Sequence, residues 1–404
     1  MNIIVINQPI NNHGDEAAHK ALLRSLAYKF PCHLFTVMFF HVSQESVDAM
    51  NVHLDNVKYV NVTDGFSKKK YEIIKIAFRN HCGKMLKLLP QFRAVEHYLK
   101  SADCIINAPG GICMGTFHNW EHVYFLKLAQ WLNKPVAYYS RSFGPFTITN
   151  TTDKLFNKLC IDLLRKFSFL SIRDSKSMSL AESLGINYEA AIDTAFLNVK
   201  RTPLPNVLVD KKYCVLVPNS LVWHPTFKKC SEKYIKLFYQ KLTTNILKRY
   251  PDLFLVFLPQ LFNKEDGGDK AYFKILNSAL TTEEQKRIII VDDKDNSDVQ
   301  QTIISKSEFI IGARYHSIVF AINNEVQFVS LSYEHKMEGL LSILDLESRS
   351  VPFNQWVKNE SDIDASINHV ILKLGNSVDL SQAHAKALNI ANNCERKLVT
   401  ALKL

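Results

Sequence analysis

Through most of its length this chain alternates short, fully apolar runs with helix-length amphipathic segments, and that rhythm constrains its fold more than any other feature. Runs such as Ile3–Ile6, Cys104–Asn107 and Tyr213–Val217 show no polar alternation, so strands built from them need cover on both faces. Helices lying between successive strands supply that cover and make the strands parallel. In the first half the pattern predicts strands at Ile3–Ile6, Leu34–Phe39, Val57–Val60, Cys104–Asn107, Val136–Ser140, Phe169–Ile172 and Ala190–Ile192. It predicts helices at Asp15–Lys29, Tyr71–Leu88, Glu121–Leu132, Thr152–Lys166 and Ser175–Leu184, the last closed by Gly185 as a C-terminal cap. After the connector Arg201–Pro205 the rhythm restarts, with strands at Tyr213–Val217, Leu253–Leu258, Arg287–Val291, Phe309–Ile311 and Gln327–Leu331. Ser297-Asp298-Val299-Gln300 has capping-box spacing. The chain turns irregular around Pro352-Phe353-Asn354 and closes with helices at Ser361–Leu374 and Ser381–Leu402.

The fold class that follows is α/β, with two Rossmann-like, doubly wound parallel-sheet domains facing a cleft. Residues 1–200 form the first domain and 206–345 the second, while 346–404 supply terminal helices that cross back to the first. A chain of 404 residues accommodates two such domains. No apolar window reaches the ~20 residues that span a bilayer. Met1–Asn7 reads as a strand without a basic leader, so no secretory signal is expected. The 8 cysteines are scattered, without C-x-x-C pairs or zinc spacing, which fits reduced thiols in a cytoplasmic protein and no metal site.

The formal net charge of +10 is concentrated in one place. Between Ser67 and Lys100, nine basic residues face only Glu72 and Glu96. Aromatic and aliphatic residues interleave with them, as in Lys68-Lys69-Lys70-Tyr71 and the stretch to Arg79. Such a segment is a solvated basic face or a peripheral contact, through Lys68–Arg79, with the inner membrane face. No helix-turn-helix, zinc or RNP pattern accompanies the charge, so nucleic acid is not expected as a partner.

The chemistry gathers where strands end. Phe309–Ile311 stops at Gly312, and Arg314 and His316 stand at the start of the next helix. Strand C-termini and helix N-termini are the anion-binding places of an open parallel sheet. Arginine brings a planar fork, and histidine a group that titrates near neutrality. Pro218-Asn219-Ser220 and Leu258-Pro259-Gln260 follow neighbouring strand candidates and project from the same edge, with Tyr333 and Lys336 on the rim. In the first half, Asn12-His13-Gly14-Asp15 links strand to helix, with Asp15 placed to cap that helix or to reach the cleft. Gly110-Gly111 lets a ligand approach the backbone, and Arg141 and Arg173 are cations at strand ends. The turn after the first strand lacks G-x-G-x-x-G, which argues against a nicotinamide enzyme.

Taken in order, these segments resemble the polysaccharide pyruvyl transferase family. The matching pieces are Asn12–Ala17 (N-x-G-D-x-A), Gly110-Gly111, Ser140–Phe146 (S-x-x-x-G-P-F) and Ser171–Asp174 (S-x-R-D). They continue with Asp193–Phe196 (D-x-A-F), Gly312–His316 (G-x-R-x-H) and Tyr333–Lys336 (Y-x-x-K). Two departures stand out: Asn324–Gln327 replaces a G-x-P turn, and the glycine-rich loop has two glycines rather than three. The resemblance implies a GT-B architecture and transfer of pyruvate from phosphoenolpyruvate to two hydroxyls of a hexose, giving a cyclic ketal and phosphate. It implies as acceptor a saccharide carried on a lipid diphosphate, or a cell-wall or exopolysaccharide unit, and no cofactor besides phosphoenolpyruvate as co-substrate. His316 would be the general acid, with Arg314 and Arg173 holding the anion and Asp15 acting on the sugar hydroxyl. Asn12, Gly110, Gly111, Arg141, Ser220, Gln260, Gly312, Tyr333 and Lys336 would complete the binding surface. The alternative reading is a GT-B glycosyltransferase that uses a nucleotide sugar.

Overall fold

The structure is a computed structural model that describes residues 1–62, 70–115, 117–198, 200–221, 232–262, 267–292, 296–353 and 360–404. It forms two compact units. The first comprises Met1–Ile10, Ala18–Asn198 and Leu388–Leu404, and the second Asn11–Ala17 and Val199–Ala387. The turn after the first strand thus clusters with the second unit, although chain order places it in the first.

In the first unit the order is β1 (Asn2–Ile6), α1 (His13–Lys29), β2 (Leu34–Phe40), α2 (Gln44–Met50), β3 (Val57–Val62), α3 (Lys70–Arg79) and α4 (Pro90–Ser101). There follow β4 (Cys104–Asn107), α5 (Trp120–Trp131), β5 (Val136–Tyr138), α6 (Thr151–Leu164), β6 (Phe169–Ile172), α7 (Ser175–Ser183) and β7 (Glu189–Ala190). The strands pair in parallel in the order β3-β2-β1-β4-β5-β6-β7, so the order reverses between β1 and β4. Strand β1 shows why both faces are apolar. Ile4 and Ile6 enter the core shared with Phe92, Phe125 and Tyr138, while Ile3 and Val5 enter the opposite one with Leu22 and Phe35.

The second unit contains β8 (Tyr213–Val217), α8 (Glu232–Arg249), β9 (Phe254–Phe257), α9 (Gly268–Ser278), α10 (Thr282–Gln285), β10 (Ile288–Ile290), α11 (Ser297–Ser305) and β11 (Ile310–Gly312). It continues with α12 (Tyr315–Asn323), β12 (Phe328–Ser332), α13 (His335–Ile343), β13 (Ser350–Pro352) and α14 (Glu360–Gly375). The parallel order β10-β9-β8-β11-β12-β13 reverses between β8 and β11. Helix α15 (Ser381–Leu402) ends the chain. From Leu388 onward it belongs to the first unit, where Cys394, Leu398 and Leu402 are buried against the face that holds Ile3 and Val5. Burying each leucine contributes about 1.5–3 kcal/mol.

Several expectations are corrected. The helix foreseen at Tyr71–Leu88 is two pieces, α3 and a 3-10 turn at Gly83–Leu88. Between them His81 adopts a left-handed φ of 56°, and Gly83 lies so close to Phe78 that a β-carbon would stand 3.1 Å from its ring. The strand foreseen at Val136–Ser140 stops at Tyr138, and Ser140 has φ 44°. Ser297 opens no capping box: Asn296 caps α11, accepting from the amides of Asp298 and Val299, while Ser297 donates elsewhere. The capping box lies instead at Thr281–Glu284. Asp15 does not cap α1 either, because the Asn12 side chain accepts from the Gly14 amide at 2.8 Å. The irregular region near Pro352 contributes β13, and Asn354 lies outside the described residues.

Candidate functional site

Within the second unit, the strand ends of β8, β9 and β11 assemble one polar cluster. Gly312 ends β11, and a β-carbon there would stand 2.1 Å from Ser317 Oγ, so only glycine lets α12 turn back so tightly. Arg314 is the residue before α12, and His316 lies in its first turn. Both are buried, at 8% and 6% exposure.

Arg314 Nη2 donates to Asp269 Oδ1 in a buried ion pair. Asp269 is fixed in turn, its Oδ2 accepting from the amides of Gln260 at 3.0 Å and Leu261 at 2.9 Å. Burial by itself would lower the Arg314 pKa, but the Asp269 carboxylate and the Tyr333 phenol overcome it, and the pKa is raised. The guanidinium stays charged at every physiological pH. Its buried Nε meets no acceptor among the described residues, so the fork retains a donor for an anion. Tyr333, buried beside it, has its pKa pushed up by burial and by neighbouring Glu334. Lys336 pairs with Glu334 at 2.9 Å and lies 5.9 Å from the centre of the Tyr315 ring.

The Asn12–Ala17 turn joins this cluster. Its backbone pairs with the end of β9, the His13 amide donating to the Gln260 carbonyl at 3.0 Å and the Phe262 amide to Asn11 at 3.2 Å. The His13 ring stacks on Phe262 at 4.4 Å. Glu16, fully buried, accepts from His13 Nδ1 at 2.8 Å and from the Ser297 amide and hydroxyl at 3.1 and 3.0 Å. A methyl group placed on Gly14 would fall 1.8 Å from His316 Nδ1 and 2.0 Å from its Cγ. The imidazole lies directly on the backbone of this turn. Two sequence segments some three hundred residues apart therefore make one surface, with half-buried Asp15 next to Gly14. Asn219 is fully buried and ties the end of β8 to β11 through the Ala313 carbonyl at 3.3 Å, leaving half-buried Ser220 beside it.

The first-unit motif residues form a brace. Arg141 donates from Nε to the Gly111 carbonyl at 3.1 Å, from Nη1 to Ala108 at 2.6 Å and Asn7 at 3.2 Å, and from Nη2 to Cys113 Sγ at 2.9 Å. Four of its five N–H groups are taken in this way, by the carbonyls of the Gly110-Gly111 loop and its neighbours and by the Cys113 thiol. Arg173 is buried in an ion pair with Asp193. Ser140 links the same region, donating its amide to Ser171 Oγ at 2.8 Å and its hydroxyl to the Ile192 carbonyl at 2.6 Å. Asp174 caps α7 by accepting from Ser177 N at 2.9 Å.

The sequence reading did not assign Asp269, Glu16 or Ser297 to the site. Asp269 stands in the first turn of α9, where an acidic residue is ordinary. Its contact with Arg314 spans 45 residues, and that of Glu16 with Ser297 spans 281. No local signal marks either.

Two Rossmann-like parallel-sheet units are the components of the GT-B fold. The whole chain superposes on the putative UDP-N-acetylglucosamine 2-epimerase of Listeria monocytogenes with TM-score 0.58 and 12% identity, covering 100% of this chain and 95% of that one. It superposes equally on the UDP-GlcNAc 2-epimerase of Methanocaldococcus jannaschii, at 0.58 and 12% with 99% of each chain covered. An E. coli trehalose-6-phosphate synthase bound to UDP-2-fluoro glucose gives 0.52 and 10%, covering 100% and 99%. At such identities the likeness speaks for the fold alone.

The sequence is more particular. Residues 12–335 match the polysaccharide pyruvyl transferase family, and the chain belongs to it. It is also 21% identical over 409 residues to the amylovoran biosynthesis protein AmsJ of Erwinia amylovora, covering 96% of this chain and 95% of that protein.

Proposed function

We propose that this protein transfers pyruvate from phosphoenolpyruvate to two hydroxyls of a hexose in a polysaccharide precursor, forming a cyclic ketal and releasing phosphate. The observation that carries this reading is the pairing of Arg314 and His316 at the β11–α12 junction. A permanently charged guanidinium keeps a buried Nε donor unused there, next to an imidazole seated on Gly14. Phosphoenolpyruvate carries a phosphate and a carboxylate, which suit that fork and the amides at a helix N-terminus.

His316 acts as the general acid, donating a proton to the methylene carbon as the first sugar oxygen bonds to C2. The hydroxyl proton leaves to a base, for which half-buried Asp15 in the adjoining turn is the candidate. In the second addition, phosphate departs from C2 against the charge of Arg314, and the second hydroxyl bonds there and loses its proton. Arg173 and Lys336 are further cations of the reading, each already ion-paired, with Asp193 and Glu334.

The test is phosphate release from phosphoenolpyruvate in the presence of galactosyl, glucosyl and mannosyl acceptors, with NMR detection of a ketal methyl. His316→Ala abolishes release while keeping phosphoenolpyruvate affinity; wild-type turnover in that variant would show the acid is elsewhere. A vinyl product would mark an enolpyruvyl transferase, and release of a nucleotide from a nucleotide sugar would mark a glycosyltransferase.

The acceptor is carried on a lipid diphosphate, in this reading, and the enzyme meets it at an anionic membrane face. No helix among the described residues is long and apolar enough to cross a membrane. The surface from α3 through the following 3-10 turn exposes Ile76, Met85 and Leu88 at 54–61% among Lys75, Arg79, Lys84 and Lys87. Lys68 and Lys69 lie outside the described residues. Charge reversal at Lys75, Arg79, Lys84 and Lys87 releases the protein from phosphatidylglycerol vesicles; unchanged binding contradicts the contact.

A further inference from the structure

The first unit contains a cavity of about 340 Å³ that the phosphoenolpyruvate chemistry leaves unused. It opens where the strand order reverses, over the ends of β1 and β2, and is lined by Phe40, His41, Tyr71, Glu121, His122 and Phe125 among others. Its size is at the lower end of small-molecule sites, on the order of 300 Å³.

Three observations mark it as a built site. The backbone is left-handed just past the ends of two adjacent strands, at Asn7 with φ 60° and His41 with φ 55°, and both residues line the cavity. Non-glycine residues persist in that region at a cost of ~1–3 kcal/mol each, and such outliers gather at ligand sites. Second, His122 is 2% exposed, lines the cavity, and its buried Nε2 meets no partner among the described residues. Third, the aromatic floor is ordered, the Phe40 and Phe125 rings meeting edge to face at 5.2 Å.

The charges choose the ligand. Four of the five Arg141 N–H groups go to the carbonyls of Asn7, Ala108 and Gly111 and to Cys113, so the cation beside the cavity keeps no two-pronged fork for an anion. A carboxylate, Glu121, also stands in the lining. Aromatic faces together with a carboxylate and an imidazole suit a neutral polyhydroxyl ring.

We infer that this cavity is a saccharide subsite that seats one pyranose of the acceptor, with His122 Nε2 hydrogen-bonding one of its hydroxyls. The inference rests on the pyruvyl-transfer reading only for the word acceptor; the sugar binding stands without it. The His122 pKa is driven well below its ordinary value by burial and by Arg141, so the imidazole is neutral and Nε2 is free to accept from, or donate to, a hydroxyl.

The experiment is saturation-transfer NMR of the full chain with the methyl glycosides of galactose, glucose and mannose, without phosphoenolpyruvate. At least one glycoside gives a signal, and its affinity falls about tenfold in His122→Phe, which keeps a planar aromatic ring, slightly larger, and removes the nitrogens. Val42→Trp at the lining, an independent variant, abolishes the signal by filling the space. A signal unchanged in a folded His122→Phe and in Val42→Trp overturns the subsite, as does the lack of any signal with the wild type. Glycoside binding lost in both variants, in a protein that releases no phosphate from phosphoenolpyruvate, upholds the subsite and sinks the transfer reaction. Phosphate release with an acceptor KM that neither variant moves does the reverse.

Discussion

Replacing Gly14 by alanine adds one methyl group at the point where the Asn12–Ala17 turn meets the His316 ring. Ideal geometry puts that carbon 1.8 Å from Nδ1, 2.0 Å from Cγ and 2.5 Å from Cβ of His316. The ring must retreat by roughly 1.5–2 Å to restore an ordinary carbon contact. Misplacing a catalytic group by about 1 Å costs on the order of 10²-fold in rate, so Gly14→Ala lowers kcat at least that far. Gly14 is the second residue of α1, where the interior advantage of alanine over glycine, about 1 kcal/mol, is an upper bound on what the helix gains. The two effects separate in two assays. Phosphate release under saturating phosphoenolpyruvate reports the displaced imidazole, while urea denaturation shows whether the fold absorbs the methyl. Nitrogen-resolved NMR of the His316 ring reports its displacement directly. A Gly14→Ala protein with wild-type kcat and an unmoved His316 resonance refutes the claim that this glycine seats the acid.

Removing the Arg314 counter-charge by Asp269→Ala leaves a buried cation and two backbone amides without their acceptor. That loss destabilises the protein by about 3–5 kcal/mol, read from denaturant midpoints, with partial recovery under saturating phosphoenolpyruvate. Wild-type stability in this variant contradicts the pair. His122 makes stability depend on pH in a definite direction. Its folded pKa is depressed by burial and by Arg141, whereas the unfolded value stays near 6.5, so the unfolded chain binds the extra proton. The stability it contributes is complete above pH 6.5 and is lost as pH falls below it, by about 1.4 kcal/mol between pH 7.5 and 5.5. In His122→Phe the difference between the two pH values shrinks by that amount; an unchanged difference means that the imidazole titrates normally.

Fold class was legible in the sequence because fully apolar strands admit few solutions. Ile3–Ile6 has no polar face and forms a central strand with cover on both sides. Boundaries were harder to read where one backbone angle decides, as at His81, which ends α3, or Ser140, which follows the end of β5. The G-x-R-x-H segment announced a strand-to-helix junction through Gly312 and its neighbours, all local information. What the residues touch there was not local. Nothing near Asp269 marks it as the partner of Arg314, and the seating of His316 on Gly14 depends on a turn from the far end of the chain. Arg141 shows the same dependence on distant residues. A strand-end arginine looks available in sequence, and only the fold reveals the carbonyls that occupy it.

The central claim is that the β11–α12 junction binds phosphoenolpyruvate through Arg314. Calorimetric titration of phosphoenolpyruvate into the wild type and into Arg314→Ala tests it without any acceptor or turnover. The account predicts saturable binding by the wild type that weakens about 10- to 100-fold when the charged donor is lost, with the variant still folded. Equal affinity in the two proteins would contradict it.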